Sequence, residues 1–173
     1  FTDEHAKLIG RHSSKVYLAY DGDTAGIGAA IRAGYILLKH ALDALVIKIP
    51  QGIDPDDWVK EEGTEPFKLA VENSEDFLNF HIEHTKNDLK SPSGISVFIQ
   101  RVVSELSQIP NPVLRELHVK SLATKTKVSE ESIFHTLNNH LQQIQRRQSF
   151  SKKRTSHENE KNAKEESTLV RIE

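Results

Sequence analysis

The stretch VYLAYDGDTAGIGAAIRAGYILLKHAL, residues 16–42, decides the fold class of this chain. Its first part, residues 16–20, is an apolar run of strand length that stops at Asp21 and Asp23. Beyond Asp23 the apolar residues recur at the spacing of one face of a helix, at Ile27, Ile31, Tyr35, Leu38 and Leu42. The stretch therefore predicts a strand, an aspartate-bearing junction and an amphipathic helix.

A second apolar run, residues 45–49, follows this helix and is closed by Pro50. Strand, helix and strand in this order predict a right-handed βαβ unit with parallel strands. Because both runs are mostly apolar, we expect helices to cover the sheet on both faces. The carboxyl ends of parallel strands lie along one edge, which is where open α/β sheets place their ligands.

Aspartates follow both predicted strands. Asp21 and Asp23 follow the first, and the stretch QGIDPDDW places Asp54, Asp56 and Asp57 after the second. Carboxylates that share a small volume repel one another and raise one another's pKa unless a cation neutralises them. Magnesium prefers oxygen ligands of this kind. The sequence therefore predicts a divalent metal site at this edge, and phosphoryl transfer assisted by two metal ions.

The same residues also have interpretations without a metal. An Asp-Gly pair often marks a hairpin turn, although here a helical pattern follows instead of a strand. Residues 54–57 would make a good helix start whatever their function, and neither acidic stretch has the spacing of a calcium loop. His81 and His84 lie three apart on a predicted helix without an HExxH motif, which favours a solvated helix face.

Composition limits the classes of protein. Charged residues make up 28% of the 173 residues and hydrophobic ones 36%. The absence of cysteine excludes disulfides, thiolate zinc sites and a cysteine nucleophile. No apolar run approaches the ~20 residues of a bilayer span and no signal peptide opens the chain, so we expect a cytoplasmic protein. Without methionine and beginning at Phe1, the chain is expected to be an internal piece of a longer protein.

Beyond residue 63 the apolar spacing predicts a series of helices. Thr64 and Ser74 are the candidate N-caps of the first two. Further helices are predicted over residues 95–109, over residues 113–123, and from Ser129 onward. The helical pattern ends where the chain becomes polar and charged.

Four motifs carry a resemblance to the bacterial DNA primases of the DnaG family. YDGDTAG at 20–26, AAIRA at 29–33 and PQGIDPDDWV at 50–59 resemble the later part of the RNA polymerase domain, and IPNPVLRELHVKSLA at 109–123 resembles its helical subdomain. The first motif is similar to the second acidic motif of the Toprim fold, which topoisomerases share. The fold class implied is α/β, a partial Toprim fold with a parallel βαβ unit, followed by an all-α helical subdomain.

The resemblance also divides the chain into four segments. It implies the C-terminal half of a Toprim module at 1–72, the helical subdomain at 73–145, a charged flexible linker at 146–164, and the truncated start of a helicase-binding domain at 165–173. A glutamate on a strand before Phe1 is expected to complete the site. Zinc is expected only in a separate N-terminal domain, and this chain alone is expected to be inactive.

The implied function is RNA primer synthesis on single-stranded DNA from ribonucleoside triphosphates, with the replicative helicase as a further partner. The resemblance assigns Mg²⁺ or Mn²⁺ to Asp21, Asp23, Asp54 and Asp56, and catalysis to Asp21 and Asp23.

Alternatives to a primase stay open. Another Toprim enzyme, a topoisomerase or nuclease, would show a DxDxEG-like pattern where Thr24 and Ala25 stand, and a non-catalytic helicase-docking fragment would need no metal. Arg32 and Lys48 could meet phosphate, although surface charge is the simpler interpretation.

Overall fold

The computed structural model describes residues 1–86, 88–147 and 149. In chain order its elements are α1 (Asp3–Ile9), β1 (Lys15–Leu18), α2 (Thr24–Lys39), β2 (Asp43–Val46), α3 (Pro55–Glu62), α4 (Thr64–Glu72), β3 (Glu75–Asp76), α5 (Phe77–His84), a 3₁₀ turn (Asp88–Lys90), α6 (Pro92–Leu106), α7 (Pro112–Thr126) and α8 (130–147). Within these ranges no helix has the length and apolar character needed to cross a membrane.

The sheet has three strands in the order β1-β2-β3. β1 and β2 are parallel, with Lys15 opposite Asp43 and Leu18 opposite Val46, and α2 is the crossover between them. The predicted parallel βαβ unit is therefore confirmed. Both strands begin and end earlier than the apolar runs predicted, because the pairing stops at Leu18 and Val46 and the chains then leave the sheet toward the acidic segments.

The third strand was not predicted. β3 is antiparallel to β2, with Glu75 opposite Val46, and its two acidic residues carry no apolar alternation that could reveal a strand. Asp76 then caps α5 by accepting hydrogen bonds from the backbone amides of Leu78 and Asn79. The prediction of Ser74 as this cap was therefore wrong.

Thr64 was likewise a wrong prediction of an N-cap. It is already the first residue of α4, and Gly63 before it holds the cap position with φ at +82° and no side-chain hydrogen bond. The positive φ favours glycine at this position. The chain therefore turns from α3 into α4 through backbone geometry, without a capping side chain.

One hydrophobic core joins the sheet to the helices. It runs from Ala6 in α1 to Leu137 in α8 and includes the fully buried side chains of Phe77 and Phe98. Gly34 lets α2 approach α5 closely, since a Cβ there would overlap the ring of Phe77. Because this core is continuous, it does not test the boundary between residues 72 and 73, which stays a prediction.

The sheet is not covered equally on both faces. Leu18, Ala44 and Val46 are buried, whereas the side chain of Tyr17 in β1 is 45% exposed. The expectation that helices cover both faces is thus wrong for β1 in the described part of the chain. Apolar character alone does not distinguish a strand buried on two faces from one with an aromatic residue at the surface.

His81 is also placed differently from the prediction. It is 3% exposed, and its Nδ1 forms a hydrogen bond of 2.9 Å with the Tyr35 hydroxyl between the rings of Phe77 and Phe98. The solvated face predicted for His81 was wrong because apolar neighbours bury α5 on several sides. His84, one turn later, is exposed as predicted.

The last described helix reaches into the predicted linker. α8 covers residues 130–147 and so includes Arg146 and Arg147, which the sequence assigned to the linker. Glutamine and arginine are good helix formers, so α8 continues beyond the last residue of its apolar stripe, Ile144. Apart from Ser149, the rest of that linker and the segment 165–173 lie outside the described residues.

Candidate metal centre

The first acidic turn links β1 to α2. Asp23 is the N-cap of α2, and its Oδ1 accepts a hydrogen bond of 2.6 Å from the backbone amide of Gly26. A Cβ at Gly26 would overlap the carbonyl oxygen of Asp21, so only glycine lets the helix begin this close to the turn. The DGDTAG sequence therefore holds the backbone of Asp21 against the amino end of α2.

The second acidic turn links β2 to α3. Asp54 is the N-cap of α3, and its Oδ1 accepts hydrogen bonds from the amides of Asp56 at 2.7 Å and Asp57 at 3.2 Å. Lys60, one turn along, pairs with Asp56 and lies 3.8 Å from Asp57. The hydrogen bond to Asp56 is the main reason that the pKa of Lys60 is raised. The predicted helix start at this segment is thus confirmed.

The two acidic turns touch each other through their backbones. The amide of Gly22 donates a hydrogen bond of 3.4 Å to the carbonyl oxygen of Ile53. A Cβ at Gly22 would overlap the carbonyl oxygen of Pro50, so the first turn packs directly on the segment that leads into the second. The adjacency expected from parallel strands is present at this edge of the sheet.

The structure brings some of the predicted ligands together more closely than others. Carboxylate oxygens of Asp54, Asp56 and Asp57 lie within 4.8 Å of one another, and all three residues are exposed. Over residues 1–86, 88–147 and 149 this is the one such group of three, and it includes neither Asp21 nor Asp23. Asp57 was not among the predicted ligands, although its position next to Asp56 was a signal for it.

The donor set fits a hard divalent cation. Exposed carboxylate oxygens suit Mg²⁺ or Mn²⁺, and Mg²⁺ in particular keeps several waters when only a few protein ligands reach it. The acids of the first turn stand on the neighbouring loop, which is in contact with the loop that carries Asp54 and Asp56. The metal-binding and catalytic roles of the four predicted aspartates stay a prediction.

A cleft of about 170 Å³ opens beside the first turn. It lies between the start of α2, the ends of β1 and β2, and α5, and its polar lining includes Asp21, Lys48 and His84. Val46 and Phe80 form part of its apolar wall. The cleft is therefore at the edge of the sheet where parallel strands place a ligand site.

Lys48 and Arg32, the two cations considered from the sequence, have different surroundings. Lys48 lines the cleft, where its Nζ lies 3.0 Å from Glu75 and 3.1 Å from Glu83. These carboxylates, Glu75 most strongly, raise the pKa of Lys48. Arg32 instead lines a separate cavity beside Glu105.

Comparison with known proteins gives matches along most of the chain. Residues 1–59 match the Toprim-like family, and residues 80–131 match the family described as the DnaB-helicase binding domain of primase. A DNA primase of Clostridium acetobutylicum is 33% identical over 143 residues, which are 82% of this chain and 24% of that protein. A DNA primase of Listeria monocytogenes is 32% identical over 149 residues, which are 84% of this chain and 24% of that protein.

The chain is a relative of the bacterial DnaG-type primases. It spans 24% of the length of these two curated primases. A DNA primase domain from Pseudomonas aeruginosa superposes with a TM-score of 0.68 at 25% identity, covering 79% of this chain and 44% of that one. A DnaG primase catalytic domain bound to ssDNA superposes with a TM-score of 0.65 at 28% identity, covering 76% of this chain and 43% of that one.

The two family matches fall on different parts of this primase relative. The Toprim-like match covers the βαβ unit and both acidic turns, and ends within α3. The helicase-binding match begins in α5 and covers α6 and α7. It therefore precedes residues 165–173, where the resemblance implied the start of a helicase-binding domain.

Proposed function

We propose that this chain is part of a DNA primase, an enzyme that makes short RNA primers on single-stranded DNA for replication. The observation that carries the proposal is the contact between the two acid-bearing turns at the edge where β1 and β2 end. The primases related to it and the ssDNA-bound catalytic domain that it resembles support the proposal. The activity belongs to the intact protein, because the chain spans only 24% of these relatives.

Asp21, Asp23, Asp54 and Asp56 would hold Mg²⁺ or Mn²⁺, with Asp57 as an additional ligand. A pair of such ions stabilises the attacking and leaving oxygens of phosphoryl transfer. The chain's own contribution is to orient the carboxylates. Asp23 and Asp54 are fixed by their capping hydrogen bonds, so little freedom is lost when they bind a cation.

The substrates would be ribonucleoside triphosphates, and the cleft beside Asp21 would receive part of one. The amino end of α2 lies at this cleft, and the backbone amides at a helix start attract phosphate. Val46 and Phe80 would exclude water from its inner wall. The cleft thus offers an apolar wall next to one aspartate and one lysine.

A replicative helicase would be a further partner of the intact protein. The match of residues 80–131 to the DnaB-helicase binding domain of primase supports this part of the proposal. It also keeps a second candidate open, a helicase-docking role without catalysis.

The test uses the intact protein of which this chain is proposed to be a part. Asp21→Asn should abolish RNA primer synthesis on a single-stranded template, because it removes a negative charge from the proposed site. Asp3→Asn is the control, since Asp3 pairs with Lys39 and His40 in α1 and α2, outside the two turns. Its primer synthesis should equal that of the wild type.

Other outcomes would favour the alternatives. Primer synthesis that survives Asp21→Asn would refute a catalytic role for this site. DNA cleavage without primer synthesis would favour a topoisomerase or nuclease. Helicase binding with neither activity would leave only the docking role.

A further inference from the structure

The segment between β2 and the second acidic turn, residues 47–53, has to be held in place if the two turns are to touch. The amide of Ile47 donates a hydrogen bond of 2.9 Å to Leu18 as the strands separate. Further along, the Gly22–Ile53 hydrogen bond of 3.4 Å is long. A side chain that anchors this segment would therefore matter for the contact between the turns.

Lys48 provides such an anchor. Its Nζ lies 3.0 Å from Oε1 of Glu75 in β3 and 3.1 Å from Oε2 of Glu83 in α5. The ammonium thus ties the segment to the edge of the sheet and to the helix that walls the cleft. Lys48 is two residues before Pro50, whose carbonyl oxygen rests against Gly22.

The two contacts of Lys48 differ in their surroundings. The Glu75 side chain is only 17% exposed, and its Oε1 is buried without a hydrogen bond of good geometry in the described chain. The Lys48 ammonium is the cation that faces this oxygen. Glu83, at 42% exposed, is nearer to solvent, so salt weakens that contact more.

The anchor is not needed for the fold as a whole. The Lys48 side chain is 55% exposed, and ion pairs of exposed lysines contribute little to stability. The hydrophobic core does not include it. Loss of the charge should therefore act locally, on residues 47–53 and on the turn that follows them.

We propose that Lys48 is a positioning residue, which holds residues 47–53 so that the second acidic turn rests on the first. The inference rests on the proposed function, in which the two turns share a metal centre. Lys48 would not ligate the metal. It would act through Pro50 and Ile53, whose backbones meet Gly22.

The test compares Lys48→Met with Lys39→Met in the 173-residue chain. Methionine keeps most of the length of the side chain and removes the charge. Lys39 is a matched control, because its Nζ lies 2.9 Å from Asp3 in an ion pair at α1 and α2. Lys48→Arg is the conservative variant, since a guanidinium could still reach both glutamates.

The first measurement needs no metal. Nuclear Overhauser contacts between Gly22 and residues 50–53 should weaken in Lys48→Met and persist in Lys39→Met and Lys48→Arg. The second measurement is the affinity for Mn²⁺, followed by paramagnetic broadening of the Asp21 and Asp54 resonances. Lys48→Met should weaken it roughly tenfold, as the loss of residues that orient metal ligands commonly does.

The outcomes separate this inference from the proposed function. Unchanged Gly22 contacts in Lys48→Met would overturn the positioning role, even with Mn²⁺ bound normally. Weakened contacts with unchanged Mn²⁺ affinity would overturn the link between Lys48 and the metal centre. Failure of the 173-residue wild-type chain to bind Mn²⁺ would overturn a metal centre formed by these aspartates alone, and the Gly22 contacts would then decide the positioning role of Lys48.

Discussion

Asp23 and Asp54 are each the N-cap of a helix, and this role needs no ligand. Each accepts a backbone hydrogen bond at the start of the following helix, which orients its carboxylate at the junction between strand and helix. Helix capping alone would account for an aspartate at both positions, without a metal. For Asp54 the sequence already indicated this interpretation. The contact between Gly22 and Ile53 is what distinguishes these two caps from ordinary ones.

Asp54 allows capping and metal binding to be separated. Asparagine caps a helix about as well as aspartate, whereas alanine costs about 1 kcal/mol. Asp54→Asn should therefore keep the free energy of unfolding and weaken Mn²⁺ binding, while Asp54→Ala should reduce both. Urea unfolding and a Mn²⁺ titration measure these effects. Equal destabilisation by the two variants would show that the charge of Asp54, and not its cap, stabilises α3.

Among the elements, α2 was predicted most accurately. Its apolar stripe is long and regular, and its two ends are marked by Asp23 and by the next apolar run. The strands were less predictable, because each has only four residues and its ends depend on where the partner strand leaves. β3 and the cap of α5 depend on pairing with β2, for which residues 74–76 carry no local signal.

The packing of α2 against the first turn gives a prediction with a control in the same helix. A Cβ at Gly26 would overlap the backbone of Asp21, whereas one at Gly28 would lie 3.5 Å from the flexible end of Arg32. Gly26→Ala should destabilise the chain by about 1 to 3 kcal/mol through overpacking. Gly28→Ala should be neutral or stabilising by up to about 1 kcal/mol, because alanine is the better helix former.

Urea unfolding of the two glycine variants measures this difference. Equal stabilities would mean that α2 can shift away from Asp21 at little cost. The first turn would then not be held as tightly as its backbone contacts indicate.

In the molecule as a whole, the sheet and the helices share one core, and His81 lies within it. Tyr35 of α2, Phe77 of α5 and Phe98 of α6 surround its imidazole. Burial, with a smaller contribution from Arg101, lowers the pKa of His81 to about 4. His81 therefore stays neutral near pH 7, where its Nδ1 forms a hydrogen bond with the Tyr35 hydroxyl.

Global stability should consequently fall in weak acid. Between pH 6.5 and 4 the unfolded chain binds a proton at His81 that the folded chain does not, so the free energy of unfolding decreases as pH falls. Between pH 7 and 5 the contribution of His81 is about 2 kcal/mol. Urea unfolding at both pH values should show a smaller loss for His81→Gln, whose side-chain amide can still form a hydrogen bond with Tyr35.

The exposed His12 supplies the control for this prediction. His12→Gln should lose as much stability between pH 7 and 5 as the wild type. If His81→Gln loses as much as well, another buried group carries the acid sensitivity. His118, whose pKa is also lowered by burial, is then the next candidate.

The position of the candidate site was predictable from the sequence, because it follows from the order of strands and helices. Once residues 16–20 and 45–49 are recognised as parallel strands, topology alone places the segments after them at one edge. The close oxygens of Asp54, Asp56 and Asp57 come from a single turn, so local sequence contains that geometry. The cleft and the partners of Lys48 were not predictable, since α5 contributes to both and the unpredicted strand β3 supplies one of the two partners.

Apolar spacing and the acidic motifs were thus enough to predict the βαβ unit, most of the helices and the two segments that carry the candidate site. These signals are local, because each depends on residues within a few positions of one another. Other features could be seen only in the folded chain. These are the burial of His81, the third strand, the contact of Gly22 with Pro50 and the ion pairs of Lys48 with two glutamates. Each of them depends on side chains or backbone groups that are far apart in sequence and meet only when the core has packed.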